Sequence, residues 1–212
     1  MPPLTLVTGG SRGLGRNTAL SIARKGGDVL ITYRSRADAA DAVIAEIEAL
    51  GRKACALQLD MSEPSRFPAF ADSVKAALQE TWNRSSLDHL VNNAGEGINV
   101  PLAEIREAQF VTLFSVHVKG PLFLTQALLP LIADGGRIVN ISSGLTRFTY
   151  PGYGAYAAAK GAVEVLTRYM AKELGPRGIS VNTVAPGAVE TDFGGGAVRD
   201  TPGLNQQIAA IT

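Results

Sequence analysis

Short, continuously apolar runs alternate with longer stretches of helical periodicity along this 212-residue chain. The runs fall at 4–8, 29–33, 54–59, 87–92, 137–142 and 179–184, and each is uninterrupted rather than alternating. Such runs fit strands buried on both faces. Helical periodicity fills the intervals at 14–25, 37–50, 66–80, 104–132 and 155–174. Gly120-Pro121 falls inside the longest stretch and predicts a kink or split there, because proline has no amide N–H and its ring collides with the preceding turn. Regular alternation of strand and helix predicts right-handed crossovers and an α/β fold: one domain over residues 1–212, built on a doubly wound parallel sheet. Ligands in such sheets lie in the crevice at the carboxyl ends of the strands. Residues 187–203 differ, with glycines at 194, 195 and 196 and few apolar positions. They read as a flexible substrate loop within the domain, although composition is also compatible with a plain surface loop.

The first strand runs directly into Thr8-Gly9-Gly10-Ser11-Arg12-Gly13-Leu14-Gly15 and then a helix. Glycines at 9, 13 and 15 permit a tight turn, close approach of the backbone to a pyrophosphate, and close helix–strand packing. The helix N-terminus adds unpaired N–H groups and a partial positive charge. A glycine-rich string is a weak signal alone, and its place between first strand and first helix separates it from an ordinary turn. Gly9, Ser11, Arg12, Gly13, Leu14 and Gly15 are therefore read as the dinucleotide contacts of a Rossmann-type domain. The end of the second strand selects the dinucleotide. An acidic residue there would bind the ribose 2′-hydroxyl of NAD, but the chain has Tyr33-Arg34-Ser35-Arg36 and no carboxylate before Asp38. Arg34 or Arg36, with Arg12, could clamp a 2′-phosphate. That favours NADP(H) over NAD(H), the other possibility being a solvated basic loop.

Tyr156-Ala157-Ala158-Ala159-Lys160 opens a helix, which puts tyrosine and lysine one turn apart on one face. A tyrosine titrates near pH 10 when unperturbed, about three units above neutrality. A nearby ammonium favours the phenolate and is expected to lower that value. The pair can then exchange a proton, as carbonyl reduction and alcohol oxidation both require. The tetrad spacing alone is common by chance. Its weight comes from Ser143, at the end of a buried strand, and from the glycine turn.

With these motifs in this order, the chain resembles the short-chain dehydrogenase/reductase family, most of all the group that includes 3-oxoacyl-carrier-protein reductases. The resemblance spans residues 4–205. The glycine turn is similar to the family's TGxxxGxG segment, and Asn92-Asn93-Ala94-Gly95 to its NNAG segment. Ser143, Tyr156 and Lys160 fall on its catalytic serine, tyrosine and lysine. Asp60-Met61 stands where the family holds the adenine ring, and Pro186-Gly187, Val189 and Thr191 where a loop meets the nicotinamide. Cofactor contacts are accordingly expected from Tyr33, Arg34, Ser35, Asp60, Met61, Asn93, Ala94, Gly95, Lys160, Pro186, Gly187, Val189 and Thr191, besides the glycine turn. The resemblance implies hydride transfer from NADPH to a carbonyl carbon. Tyr156 would donate the proton, Ser143 would hydrogen-bond the carbonyl oxygen, and Lys160 would bind the nicotinamide ribose. A homodimer or homotetramer is implied as well.

Two departures stand out. His117 occupies the place where the family often has a catalytic asparagine, in Ser115-Val116-His117-Val118-Lys119-Gly120. A histidine offers a donor and an acceptor and could serve the same proton relay, or simply satisfy its own hydrogen bonds. The family also commonly adds a further helix and a last strand. Both are missing from the sequence that ends at Thr212, and a tail beyond that residue is expected.

The balance of 20 basic and 19 acidic residues leaves a net charge of +1. That offers no basic footprint for nucleic acid or for a membrane surface. One cysteine, Cys55, and two histidines predict no disulfide and no metal site. No leader pattern and no long apolar span is legible, and a cytoplasmic enzyme is expected. The expected partner is a small-molecule ketone or secondary alcohol. Phe148, Tyr150 and Tyr153 read as an apolar pocket wall or as ordinary packing. A catalytically silent NADP(H)-binding sensor or scaffold of the same fold is the alternative function.

Overall fold

The computed structural model describes residues 1–209. Six strands form one wholly parallel sheet in the order β3-β2-β1-β4-β5-β6. They are β1 (Leu4–Val7), β2 (Asp28–Tyr33), β3 (Ala54–Gln58), β4 (Leu87–Asn92), β5 (Ile132–Ile141) and β6 (Ser180–Val184). The helices are α1 (Gly13–Arg24), α2 (Ala37–Ala49), α3 (Phe67–Trp82), α4 (Glu107–Phe114), α5 (Gly120–Leu128), α6 (Gly154–Leu174), α7 (Ala197–Asp200) and α8 (Pro202–Ala209). None of them is long and apolar enough to cross a membrane.

The uninterrupted apolar runs are explained by two cores, one on each face of the sheet. Successive strand side chains point to opposite faces. Leu4, Leu6, Leu30, Leu90 and Ile138 join α3, α5 and Met170 of α6 in the larger core. Val7, Val29, Ile31 and Val91 join α1 and α2 in the other. A strand covered on both sides needs apolar residues at odd and even positions alike. On the outer strand β6 this lapses, and Val181 is buried while Asn182 and Val184 are exposed.

The strand order reverses between β1 and β4, so the crevice for a ligand opens at their carboxyl ends. A buried polar ladder holds the far side of that crevice in register. Asn92 donates to Asn140 (2.8 Å) and Thr125 (3.2 Å), and Asn140 donates to Thr167 of α6 (2.8 Å).

The long helix predicted over 104–132 is divided. A π-helical turn at Ser115–Lys119 separates α4 from α5. Pro121 cannot donate to the carbonyl one turn back, and the helix widens just before it. The helical path also ends earlier than expected, since Ile132 already pairs with Leu87 as the first residue of β5. The stretch 187–203 is not structureless either. Gly194, Gly195 and Gly196 all hold left-handed backbone (φ +61, +76 and +80°) and turn the chain into α7. Arg199 then ties the segment together by pairing with Asp192 and Asp200.

Candidate active site

The glycine turn and the 92–95 segment form one unit, although more than eighty residues separate them. Thr8 Oγ1 accepts from the N–H groups of Asn93 and Ala94 (both 2.9 Å), and Asn93 Nδ2 donates back to Thr8 O at 2.8 Å. A Cβ on Gly15 would lie 2.1 Å from Gly9 O and 2.5 Å from Asn93 Nδ2. Gly15 is thus required by close approach, and Gly9 by its positive φ of +64°. Arg12, just before α1, caps the helix with no side-chain hydrogen bond, which leaves the first N–H groups to face an anion. Gly15→Ala is expected to destabilise the fold by about 1–3 kcal/mol through overpacking and to weaken dinucleotide binding. Thermal melts and cofactor titration check this, and unchanged values for both would contradict the packing described.

At the end of β2 the two candidate arginines part ways. Arg36 is tied to Asp38 by two bonds of 2.9 and 2.8 Å, which raise its own pKa and hold the Asp38 carboxyl down at about 2. Arg34 has a loose, half-exposed pairing with Glu96 at 3.5 Å and lies close enough to Asp60 to help hold its carboxyl down. It borders a cleft of about 160 Å³ together with Gln58, Leu59, Asp60, Glu63 and Arg66. Asp60 accepts from the backbone and hydroxyl of Ser62 at 2.8 and 2.7 Å. Met61, expected among the cofactor contacts, buries its side chain in the core against Gly120. Any contact it makes with a cofactor therefore falls to its backbone.

Ser143 follows β5, with Oγ accepting from Leu145 N at 3.3 Å. The loop after β6 is fastened beside it, because Gly144 N donates to Pro186 O at 2.8 Å. Thr191 lies across the crevice, where a Cβ on Gly13 would meet it at 3.6 Å, while Gly187 and Val189 stay exposed. Tyr156 and Lys160 occupy the first two turns of α6 and are only 6 % and 4 % exposed. Lys160 Nζ donates to Ile141 O at 2.8 Å and stands 5.7 Å from the Tyr156 ring centroid.

The expected direction of the tyrosine shift is overturned. Burial pushes Tyr156 up to about 12, and hydrogen bonding with Ser143 offsets only part of this. Burial also pushes Lys160 down to about 8. Both groups lose hydration in the same pocket, and desolvation disfavours whichever form is charged. The sequence showed the lysine one turn away but could not show how dry the pocket is.

His117 lies in the π-helical turn and is buried, with its ring edge-on to Tyr156 (centroids 5.3 Å apart, planes at 87°). Nε2 is 2.7 Å from Glu96 O, and Nδ1 is buried with no partner among the described residues. Burial, aided by the charge of Lys160, lowers its pKa to about 3, so the ring is neutral. Gly95 makes room for it, since a Cβ there would lie 2.5 Å from His117 Cε1.

One contributor escaped the sequence reading. Phe193 places its ring 5.5 Å from Tyr156, seated against Gly97. The available signal was slight: it is the only aromatic residue in 187–203.

Known proteins share this fold and much of this sequence. A family model described as short chain dehydrogenase matches residues 3–201. A 3-oxoacyl-[acyl-carrier-protein] reductase of Synechocystis sp. is 38% identical over 193 residues, covering 90% of this chain and 75% of the relative. The reductase LugOII, described as catalysing keto-reduction at C1 in lugdunomycin biosynthesis, superposes with a TM-score of 0.91 at 40% identity, over 98% of this chain and 81% of that one. The angucycline C-6 ketoreductase LanV, solved with bound NADP, superposes with a TM-score of 0.93 at 34% identity, over 99% and 80%.

Proposed function

Because the chain belongs to the short-chain dehydrogenase/reductase family of NAD(P)-dependent oxidoreductases acting on CH–OH and C=O groups, we propose that it reduces a ketone to a secondary alcohol with NADP(H), Tyr156 being the proton donor. The observation that carries this is the convergence of Ser143, Tyr156 and Lys160 at the carboxyl end of β5. Ketoreductases among its structural relatives, one of them solved with NADP, support the same reading.

The residues present suit a dinucleotide. Gly9 and Gly15 let the turn pack tightly on itself and on the 93–94 segment, and α1 presents uncapped N–H groups at its start. Gly9, Ser11, Arg12, Gly13, Leu14 and Gly15 would hold the pyrophosphate. Arg34, with Tyr33 and Ser35, would hold the 2′-phosphate end, displacing the loose pairing with Glu96. Asp60 and the Met61 backbone would meet the adenine, and Asn93, Ala94 and Gly95 the middle of the cofactor. Pro186, Gly187, Val189 and Thr191 would enclose the nicotinamide end. When bound, the reduced nicotinamide supplies the hydride.

With a pKa near 12, Tyr156 keeps its proton at neutral pH and can give it to the carbonyl oxygen as negative charge develops there. Ser143 hydrogen-bonds the same oxygen. Lys160, still mostly protonated at pH 7, would hold the ribose hydroxyls and offset the charge left on Tyr156. His117 would join the proton path from Lys160, through the unpartnered Nδ1. With a pKa near 3 it does not itself titrate between pH 5 and 9. Its removal should instead hydrate Lys160 and move the alkaline limb of the pH–rate profile upward, so an identical profile for His117→Ala would count against this role.

A panel of ketones with NADPH, followed by loss of absorbance and repeated with NADH, tests the function. Turnover with NADPH in preference to NADH is expected. Binding of NADPH without turnover of any ketone would favour the sensor or scaffold reading. The exposed Phe110 and Val111 of α4 and Val165 and Tyr169 of α6 support association as a homodimer or homotetramer, which sedimentation velocity would measure.

A further inference from the structure

We infer that the substrate is a ketone carrying a flat aromatic ring, and that Phe193 is the residue that selects it. The inference rests on the ketoreductase function proposed above and concerns the walls of the same site.

Aromatic rings line the approach to Tyr156 in an unbroken series. Phe193 stands 5.5 Å from Tyr156, Tyr153 stands 6.2 Å from it at 73°, and Tyr150 stands 6.1 Å from Tyr153. Two segments far apart in the chain supply these rings, Tyr150, Tyr153 and Tyr156 at three-residue spacing from one and Phe193 from the other. Phe193 comes from the glycine-rich stretch before α7, Tyr150 and Tyr153 from the turn before α6, and Tyr156 from α6 itself.

These residues keep exposed surface at the mouth of the site. Phe193 and Tyr150 are 40 % and 42 % exposed, and Tyr153 is half-buried. An apolar ring left in water at the mouth of a site, rather than folded into the core, marks a surface built to be covered. The walls are also held in place. Gly97 admits the Phe193 ring so closely that a Cβ there would lie 2.4 Å from its Cζ. Val100 N donates to Gly152 O at 2.9 Å, and Asn99 Nδ2 to Pro151 O at 3.1 Å, joining the segment after Gly95 to the turn that carries Tyr150 and Tyr153. A planar ring laid against Phe193 or Tyr153 beside Tyr156 would gain an offset-stacked or edge-on partner. Each such aromatic pair is worth roughly a two- to ten-fold gain in affinity beyond area burial.

A matched pair of probes isolates this effect. In 2-tetralone the ring is aromatic but not conjugated to the carbonyl, and 2-decalone is its saturated counterpart. With NADPH, kcat/KM is expected to be about ten-fold higher for 2-tetralone. Phe193→Leu should bring that ratio towards one, and Phe193→Tyr should preserve it. Competition on the wild-type enzyme reads the same wall without a variant: 2-naphthol should inhibit reduction of an acyclic β-keto ester at about one-tenth the concentration of its decahydro analogue. Equal kcat/KM for the two ketones, equal inhibition by the two alcohols, or a ratio that survives Phe193→Leu would overturn the inference. Reduction of the β-keto ester without turnover of 2-tetralone would also overturn it and leave the ketoreductase function standing. Failure to reduce any ketone would remove that function, and this inference with it.

Discussion

Tyr156→Phe is expected to lower kcat for ketone reduction by about 10²- to 10⁴-fold, the range that a positioned proton donor contributes. The substitution removes one hydroxyl and keeps the ring that packs against His117, Tyr153 and Phe193. Cofactor affinity and melting temperature should therefore change little, which separates lost chemistry from lost structure. Direction matters as well. Since burial holds Tyr156 near 12, the proton needed for reduction is present throughout the neutral range. Oxidation of an alcohol needs the phenolate, so its rate should climb as pH rises towards alkaline values. Steady-state kinetics in both directions measure this, and near-wild-type turnover by Tyr156→Phe would remove the acid assignment.

Lys160→Met should abolish most activity yet make the protein more stable at pH 7. Lys160 is an ammonium in a desolvated pocket, and its pKa falls from 10.5 to about 8. Below pH 8 the folded state must keep this charge in a dry site, whereas the unfolded chain keeps it in water. The drop corresponds to roughly 3 kcal/mol of destabilisation at neutral pH, before other effects. Methionine removes that penalty but forfeits the bond from Nζ to Ile141 O, which returns about 1–2 kcal/mol. A net gain of about 1–2 kcal/mol remains. The sign of the pH dependence follows from the depressed folded-state value. Between pH 8 and 10.5 the unfolded chain binds more protons than the folded one, so wild-type stability rises with pH across that window. The advantage of Lys160→Met should shrink accordingly and disappear near pH 10. Denaturant melts at pH 7 and pH 10 test this. A variant less stable than wild type at pH 7 would show that the Ile141 bond outweighs the desolvation.

Much of the site was legible because its motifs are local. The turn containing Gly9, Gly13 and Gly15 lies between a strand and a helix that are both visible in the apolar pattern. Tyr156 and Lys160 share a helix face through simple 3.6-residue periodicity. What escaped involved partners distant along the chain. Arg34 and Arg36 are indistinguishable in composition, and only the folded loop shows Asp38 occupying the second and not the first. His117 was visible as a departure from the family pattern, but not the space that Gly95 clears for it. Met61 sat in the right motif, yet its side chain belongs to the core.

The alternation of strand and helix, the glycine turn between β1 and α1, and the shared helix face of Tyr156 and Lys160 were set by short-range pattern, since backbone sterics and side-chain period act over a few residues. Tertiary structure alone decided which face of the sheet each strand residue serves, how Phe193 reaches Tyr156, and how far burial drives Tyr156 and Lys160 from their ordinary protonation. Those outcomes depend on packing and water exclusion among segments tens of residues apart, and no local period encodes them.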